Sequence, residues 1–378
     1  MSSGRPERAL RPTVLHTEWS DGWGGQEMRI VAESAAFRAR GYRMLIAAQP
    51  RSQLRLRAAE AGLAVIPLRI RKGVDLLAVA ACLRALLRER VDLVHTHSSP
   101  DAWACGIAAR LAGVPVVRSR HLSTPVRRNV FSRFAYMKLA DRVITSGQFI
   151  KDAMVRDNGM SAERIVSIPA GIDVARFVPG LDRAAARRAL GLEDADFVVG
   201  IVSVLRSWTG HDDQLEAVRR LAARGVPVKL VIVGDGPRKE HIQRKIAELG
   251  LTQRAQMTGH RTDVPAVIAA MDCMALPSTA NEATSQALPQ ALAMKVPVIA
   301  STVGGLPEVV RDRDTGLLVP PGDPAALADA LEWMRAHPAE AARMAERGHA
   351  LVHAGFTFTG MIDRTEAVYR EALAGARR

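Results

Sequence analysis

The chain has 378 residues, of which 48% are hydrophobic and 24% are charged. This composition is typical of globular proteins, and the length predicts two domains of ordinary size. No apolar run approaches the ~20 residues that a membrane-spanning helix requires, and the first residues lack the apolar core of a secretory signal. Three cysteines in apolar stretches, without metal-ligand spacing, favour a reduced cytoplasmic protein with buried thiols.

The net positive charge of the chain comes entirely from its first half. Residues 1–180 contain 28 basic and 15 acidic residues, whereas the remainder contains 24 of each, so the whole net charge of +13 lies in the first half. This favours an anionic membrane surface or a phosphorylated acceptor as partner, with arginine-rich codon usage as the alternative explanation. Nucleic acid is disfavoured, because only 4% of the residues are aromatic and no nucleic-acid motif is present.

The first predicted strand, residues 13–17, is followed by a glycine loop containing Gly24 and Gly25 and by a helix to about Ala39. A strand, a glycine turn and a helix in this order bring backbone amides close to a phosphate group. Adjacent glycines are also common in tight turns that bind nothing. Trp23 precedes the pair and is either an acceptor contact or a packing residue.

Further strands are predicted at residues 44–48, 64–67 and 91–95, with helices at about 53–62 and 75–88 between them. This alternation predicts a parallel sheet with right-handed crossovers. His95 and His97 end the third of these strands on the same face. No third ligand is apparent near them in the sequence, so we expect no metal site.

A helix at 101–112 leads to a strand at about 115–118 and then to a basic stretch that contains His121. His121 comes just after the strand end, where it is either a substrate contact or a structural histidine. Most of the segment 125–139 is predicted to be a helix that combines apolar and basic residues. Such a helix suits a membrane interface, although a core-facing amphipathic helix fits equally well. The basic residues singled out here are Arg118, Arg120, Arg127 and Arg128.

The second half repeats the alternation of strands and helices. A continuous apolar strand at 197–204 ends in a loop with Arg206, Thr209 and Gly210. A strand at 229–233 is followed by Gly234, and one near 257–260 is followed by Arg261. We therefore expect a second parallel sheet, with polar loops at the carboxyl ends of its strands.

The stretch from Leu276 to Glu308 combines a strand end, a polar loop with Glu282, a helix, a short strand and a Gly-Gly turn. Pro289 is tolerated only in the first turn of the helix, so the helix should begin near Gln286. Free amides at a helix start suit a phosphate. Glu282 and Gln290 are spaced to hold the two ends of a sugar–diphosphate–ribose group, or else are ordinary surface residues.

The segment from Glu282 to Gln290, followed by Pro297–Ser301 and Gly304–Glu308, resembles the donor-site signature of retaining glycosyltransferases of family 4. The resemblance extends over roughly residues 12–375. It implies an α/β protein of the GT-B fold, with two Rossmann-like doubly wound domains facing each other across a cleft. Residues 1–180 with the carboxyl-terminal helix 360–378 would bind the acceptor, and residues 181–359 would bind the nucleotide-sugar donor.

The resemblance also implies an activity and its site residues. A sugar would pass with retention from a nucleotide diphosphate-sugar, UDP favoured over GDP, to a hydroxyl of a glycan or lipid-linked acceptor. Neither metal nor cofactor would be needed, and lipopolysaccharide or glycolipid synthesis is the expected setting. The implied catalytic residues are Arg206, Glu282 and His121. The implied donor-binding residues are Gly24, Gly25, Thr209, Gly234, Arg261, Ser285, Gln286 and Gln290, and the weaker acceptor or membrane residues are Trp23, Arg118, Arg120, Arg127 and Arg128.

Three positions depart from the family pattern. Thr209 stands where relatives carry a phosphate-binding lysine, Gln290 replaces a second glutamate, and Ala283 replaces a glycine. A protonated His211 would offset part of the charge lost at Thr209. These departures keep a second hypothesis open, in which the chain retains the fold as a binding or partner subunit with little or no turnover.

Overall fold

The computed structural model describes residues 12–73, 75–121 and 123–376. The chain divides into two compact units, one formed by residues up to 169 together with those from 361 onward, and the other by residues 170–360. All three cysteines are free and buried. In the described part of the chain, no helix combines the length and the apolar character needed to cross a bilayer.

The first unit contains a seven-stranded parallel sheet in the order β3-β2-β1-β4-β5-β6-β7. The central strands are buried along their whole length, as expected where crossover helices cover a parallel sheet, whereas the edge strand β3 is partly exposed. The strands are β1 Thr13–Glu18, β2 Arg43–Ala48, β3 Ala64–Pro67, β4 Leu93–Thr96, β5 Val116–Arg120, β6 Arg142–Thr145 and β7 Ile165–Ser167. The helices are α1 Gly25–Ala39, α2 Gln53–Glu60, α3 Leu76–Glu89, α4 Ser99–Ala112, α5 Val130–Met137 and α6 Gln148–Asn158.

The second unit contains a six-stranded parallel sheet in the order β10-β9-β8-β11-β12-β13. Its strands are β8 Phe197–Val202, β9 Val228–Val233, β10 Ala255–Gly259, β11 Cys273–Leu276, β12 Val298–Ser301 and β13 Leu317–Val319. Its helices are α7 Arg183–Ala189, α8 His211–Ala223, α9 Lys239–Glu248, α10 Val264–Ala269, α11 Ala287–Ala293, α12 Leu306–Val309, α13 Pro324–Ala336 and α14 Pro338–Gly355. The last helix, α15 Phe358–Gly375, belongs mostly to the first unit. The prediction of two Rossmann-like parallel sheets is therefore confirmed.

Two predicted elements have different bounds in the structure. The helix predicted over most of 125–139 is confined to α5, because Asn129 caps it: the Asn129 side chain accepts a hydrogen bond from the Ser132 amide at 2.8 Å. The strand predicted to reach residue 204 ends at Val202, and Val204 is half-exposed. By contrast, α11 starts directly after Gln286, and Pro289 lies in its first turn as predicted.

Candidate active site

Loops at the carboxyl end of the second sheet are held together by close backbone contacts. Gly304, in the turn after β12, has a φ of +56°, and a Cβ there would lie 1.9 Å from the Glu282 carbonyl oxygen. Gly210, in the loop after β8, has a φ of +81°, and its Cβ would lie 1.9 Å from the Pro277 carbonyl oxygen. A side chain at either position would force the loops apart. These two glycines therefore fix the loop that carries Glu282 against its neighbours on both sides.

Glu282 is the perturbed acid of this site. Its Oε1 accepts a hydrogen bond from the Ser278 hydroxyl at 3.1 Å, and the Ser301 hydroxyl in turn donates to the Ser278 carbonyl. Burial raises the pKa of the Glu282 carboxyl to about 7, while the hydrogen bond from Ser278 and the charge of Arg206 lower it. The carboxyl therefore exchanges between its protonated and ionised forms near neutral pH.

Arg206 and Thr209 lie in the loop that follows β8, and their side chains differ in direction. Arg206 is exposed, with its guanidinium 5.2 Å from the centre of the Trp208 ring. Thr209 is buried, and its hydroxyl accepts from the Arg206 amide at 3.1 Å and donates to the Arg206 carbonyl at 2.8 Å. The Thr209 side chain thus stabilises the loop rather than extending from it.

His211 does not carry the positive charge considered for it. Its ring is buried, with Nε2 3.2 Å from the Ser203 hydroxyl, and burial lowers its pKa to about 4. The ring is therefore neutral at pH 7, and protonated His211 as a substitute for the missing lysine is wrong.

The other predicted donor residues lie at the same edge of the second sheet. The Gly234 amide donates to the Gly259 carbonyl at 2.9 Å, which joins the ends of β9 and β10. Arg261 follows β10 and forms a two-bonded ion pair with Asp263. Ser285 accepts from the Ala287 amide, Gln286 is exposed at the start of α11, and Gln290 is half-buried within α11.

The corresponding edge of the first sheet carries the predicted glycine loop. The Gly24 amide donates to the Glu27 carboxylate at 2.8 Å, and α1 begins at Gly25. Trp23 is exposed, with the Arg57 guanidinium 5.9 Å from its ring centre. Glu18, at the end of β1, bonds the Ser20 amide and the Gln26 side chain. Burial, followed by the charge of Asp101, raises the pKa of the Glu18 carboxyl to about 8.

His121 stands at the end of a chain of polar side chains in the first unit. Its Nε2 lies 3.0 Å from Nδ1 of His97, and Nδ1 of His16 lies 2.9 Å from Nε2 of His97. The hydroxyl of Tyr369, on α15, contacts both His16 and His95. One ring nitrogen from each of His16, His95 and His97 lies within 4.8 Å of the other two. The prediction that no third possible ligand lies near His95 and His97 is therefore wrong.

Only some of the basic residues predicted to form a surface are exposed. Arg118 is buried, with its guanidinium 3.6 Å from the centre of the Tyr136 ring, so its assignment to a membrane surface is wrong, and its contact with an acceptor stays a prediction. Arg120 is tied to its own loop through the Thr124 carbonyl and hydroxyl. Arg127 and Arg128 are exposed, as a surface role requires.

A separate pocket of about 460 Å³ opens at the amino-terminal edge of the first sheet, around Pro115. Its guanidinium groups are engaged by the protein: Arg110 pairs with Asp141, Arg142 pairs with Glu371, and Arg164 donates to backbone carbonyls. The opposite edge, which carries His121 and the glycine loop, is the better candidate for substrate chemistry.

Sequence reasoning missed His16, Glu18 and Tyr369. A signal for the first two was present, because His16 and Glu18 follow the apolar pair Val14 and Leu15 of a predicted strand, and the structure buries every residue of that strand. Buried polar groups need partners, and such partners concentrate at functional sites. Tyr369 had no such signal, since it lies 353 residues from His16 in sequence.

Comparison with known proteins matches each half of the chain to a family of glycosyltransferases. The model of Glycosyltransferase Family 4 matches residues 23–176, and the model of Glycosyl transferases group 1 matches residues 182–350. The D-inositol 3-phosphate glycosyltransferase of Saccharomonospora viridis is 30% identical over 315 residues, which cover 76% of this chain and 71% of the relative. The alpha-D-kanosaminyltransferase of Streptomyces kanamyceticus is 28% identical over 308 residues, covering 76% and 79%.

Solved structures share the fold over nearly the whole chain. A glycosyltransferase from Rickettsia africae superposes with a TM-score of 0.87 at 20% identity, covering 96% of this chain and 99% of the other. Anabaena HepE in complex with UDP superposes with a TM-score of 0.84 at 23% identity, covering 95% and 100%. The fold is thus that of the GT-B enzymes, and with 30% identity to a relative of which it covers 71%, the chain belongs to glycosyltransferase family 4.

Proposed function

We propose that the protein transfers a sugar, with retention, from a UDP-sugar to a hydroxyl of a glycan or lipid-linked acceptor. The observation that carries this proposal is that Glu282 and Arg206 lie in two loops at the carboxyl edge of the second sheet, close enough for the charge of Arg206 to act on the Glu282 carboxyl. An ionisable carboxyl held by fixed loops suits sugar hydroxyls, and an exposed guanidinium beside it suits the diphosphate.

In this proposal each residue has a stated task. Arg206 binds the diphosphate and stabilises the charge that develops on it as the glycosidic bond breaks. Glu282 accepts hydrogen bonds from the sugar, and Gln290 contacts the ribose hydroxyls. His121 has the role of a substrate contact. The leaving diphosphate takes the acceptor proton, so the proposal needs neither a protein nucleophile nor a metal or cofactor.

One observation favours UDP as the nucleotide of the donor, and another bears on the acceptor. HepE of Anabaena, which shares the fold, was crystallised with UDP and with UDP-glucose. The relatives include enzymes that by name act on D-inositol 3-phosphate and on 2-deoxystreptamine. The acceptor of this chain is therefore proposed only as a hydroxyl compound, with lipopolysaccharide or glycolipid precursors as the first to test.

The test is ligand-dependent thermal stability followed by turnover. We expect UDP and one UDP-sugar, with EDTA present, to raise the melting temperature, since ligands that bind only the folded state stabilise it. Arg206→Ala should abolish the shift, whereas the exposed control Arg188→Ala on α7 should preserve it. A shift with GDP alone, or no shift in the wild type, would refute the donor assignment.

The exposed face of α5 supports a peripheral membrane position. Val130 and Phe131 are 72% and 68% exposed, and the basic residues Arg127 and Arg128 precede them. An apolar face beside guanidinium groups fits an anionic lipid surface. Burying one phenylalanine is worth about 1.5–3 kcal/mol, so Phe131→Ser should weaken sedimentation with phosphatidylglycerol vesicles roughly tenfold or more.

A matched control distinguishes binding through α5 from nonspecific binding through any exposed apolar residue. Leu87, on α3, is 63% exposed, and Leu87→Ser should leave vesicle binding unchanged. Equal binding to neutral phosphatidylcholine vesicles, or equal loss in both variants, would refute a membrane role for α5.

A weakened enzyme or binding subunit is the second candidate, and the Thr209 side chain favours it. Because the Thr209 hydroxyl is bonded within its own loop, it offers neither a charge nor a free donor to a phosphate. Thr209→Lys should lower stability by about 1 kcal/mol through the lost hydrogen bonds and raise turnover if the enzyme is merely weakened. Nucleotide binding without turnover in both forms would support the binding subunit.

A further inference from the structure

The four histidines of the first unit form one continuous hydrogen-bonded chain with Ser119 and Tyr369. The Ser119 hydroxyl lies 2.8 Å from His95 Nε2, and His95 Nδ1 lies 2.7 Å from the Tyr369 hydroxyl. That hydroxyl is 3.0 Å from His16 Nε2. The chain continues from His16 Nδ1 to His97 Nε2 and from His97 Nδ1 to His121 Nε2, at 2.9 and 3.0 Å. We call this set the histidine relay.

The relay is buried and its rings are neutral. His16, His95 and His97 are at most 4% exposed, and Tyr369 is completely buried. Burial lowers the pKa of His16 to about 3 and lowers the pKa values of the other three rings well below their ordinary value, and the charge of Arg29 acts in the same direction. Each ring therefore has one N–H donor and one acceptor nitrogen.

Counting protons along the relay leaves two arrangements in which every link is a hydrogen bond and the Tyr369 hydroxyl also donates one. The relay enters each ring at Nε2 and leaves it at Nδ1, counted from Ser119. If one ring carries its proton on Nδ1, its neighbour must accept at Nε2 and hence also carry its proton on Nδ1. All four histidines are therefore in the same tautomer, either Nδ1–H throughout or Nε2–H throughout. A mixed arrangement leaves the Tyr369 hydroxyl without an acceptor, leaves a ring nitrogen without a donor, or sets two N–H groups against each other, and each such buried mismatch costs about 1–3 kcal/mol.

Ser119 decides between the two arrangements. It is 3% exposed, and among the described residues its hydroxyl has a hydrogen bond only with His95. With Nδ1–H tautomers the Ser119 hydroxyl donates to His95 and every buried donor is satisfied. With Nε2–H tautomers the same hydroxyl would be left without an acceptor. We propose that His16, His95, His97 and His121 all carry their proton on Nδ1, so that His121 presents an N–H donor beyond the relay.

This order fixes what His121 can do. Its Nε2 accepts from His97, and Nδ1 has no hydrogen bond to the described residues, which leaves Nδ1–H for the substrate. His121 is thus a donor to a substrate oxygen, and it is not a general base. This consequence rests on the proposed function, whereas the order of protons in the relay does not.

The first experiment measures the tautomers directly in the full chain labelled with 15N-histidine at pH 7. Two links are N–H···N bonds, so couplings across the bond should connect His16 with His97 and His97 with His121. We expect the donor to be Nδ1 in both links and all four rings to be neutral. An Nε2 donor in either link, or a doubly protonated ring, would overturn the proposal.

A metal centre is the competing use of the same rings. The three imidazoles of His16, His95 and His97 are close enough to share an ion. Metal analysis of the purified protein and titration with zinc decide this. One tightly bound zinc that removes both couplings would overturn the relay, and unchanged couplings with excess zinc would support it.

Two substitutions at His121 test the donor by a different readout. An asparagine amide can occupy the place of Nδ1 and still donate, whereas a glutamine amide occupies the place of Nε2. We expect His121→Gln to lower kcat/KM about 100-fold, the typical effect of one lost donor at a reacting oxygen, and His121→Asn to lower it much less. The reverse order would overturn the donor role. Ordered tautomers in a protein without turnover would refute the proposed function and leave the relay intact.

Discussion

Glu282→Gln removes the most perturbed acid of the second unit, and its effect on stability follows from the pKa. Burial raises the pKa of this carboxyl from an ordinary 4.5 to about 7. One pKa unit is worth about 1.4 kcal/mol, so ionising Glu282 in the folded protein costs up to about 3 kcal/mol more than in the unfolded chain. Glutamine resembles the protonated carboxyl and does not titrate.

The sign of the effect is set by proton binding. Between pH 5 and 8.5 the folded wild type holds its Glu282 proton more tightly than the unfolded chain, so its stability falls as the pH rises. The variant lacks this loss. We therefore expect Glu282→Gln to gain stability relative to wild type across this range, by up to about 3 kcal/mol. At roughly 2–4 °C per kcal/mol for a domain of this size, that is a relative gain of about 6–12 °C in melting temperature.

The assay is thermal unfolding at pH 5, 7 and 8.5, with Glu346→Gln as control. Lys295 holds the pKa of Glu346 below its ordinary value, so its stabilising charge is lost as the pH falls. That loss occurs below the ordinary pKa of 4.5, outside the assayed range, so the difference between the control and wild type should stay constant from pH 5 to 8.5. Parallel curves for wild type and Glu282→Gln would refute the argument that burial dominates at Glu282.

Two further changes test the neighbouring structure. Gly304→Ala should lower stability by more than 2 kcal/mol and abolish UDP binding, because its Cβ would lie 1.9 Å from the Glu282 carbonyl oxygen. The control is Gly322→Ala, which has a φ of +72° and no atom within 4 Å of the added Cβ. It should lower stability by only about 1 kcal/mol. Glu18→Gln should become more stable relative to wild type as the pH rises from 5 to 9, because burial raises the pKa of Glu18 to about 8. Urea unfolding at several pH values measures this difference. Equal losses in the two alanine variants, or pH-independent differences for Glu18→Gln, would contradict these expectations.

The sheets were predictable because each rests on a local property of the sequence. Apolar runs that alternate with helical segments specify buried parallel strands, and β3 lies at Ala64–Pro67 as predicted. The start of α11 followed from Pro289 alone, since proline is tolerated in the first turn but not later. These features depend on residues that are neighbours in sequence, and they can therefore be predicted from the sequence.

The site was less predictable because its decisive contacts are distant or directional. Tyr369 joins His16 across 353 positions, and nothing in either segment indicates the other. Arg118 belongs to a basic stretch, yet its guanidinium is buried against Tyr136. Thr209 was expected to face a phosphate, but its hydroxyl bonds its own loop. Composition indicates how many charges a segment has, whereas only the fold determines which of them reach solvent.

The titration of Glu282 also gives a way to distinguish binding of the nucleotide from binding of the sugar. Binding of UDP alone brings negative charge to the Arg206 side of Glu282, which disfavours the carboxylate and should draw a proton from solution. Binding of the correct UDP-sugar adds hydroxyls that donate to the carboxylate, which favours the ionised form and should release one. With a pKa of about 7, Glu282 is partly protonated at pH 7, so both effects are measurable there. Calorimetry in two buffers of different ionisation enthalpy gives the proton count, and equal counts for UDP and UDP-sugar would show that Glu282 does not contact the sugar.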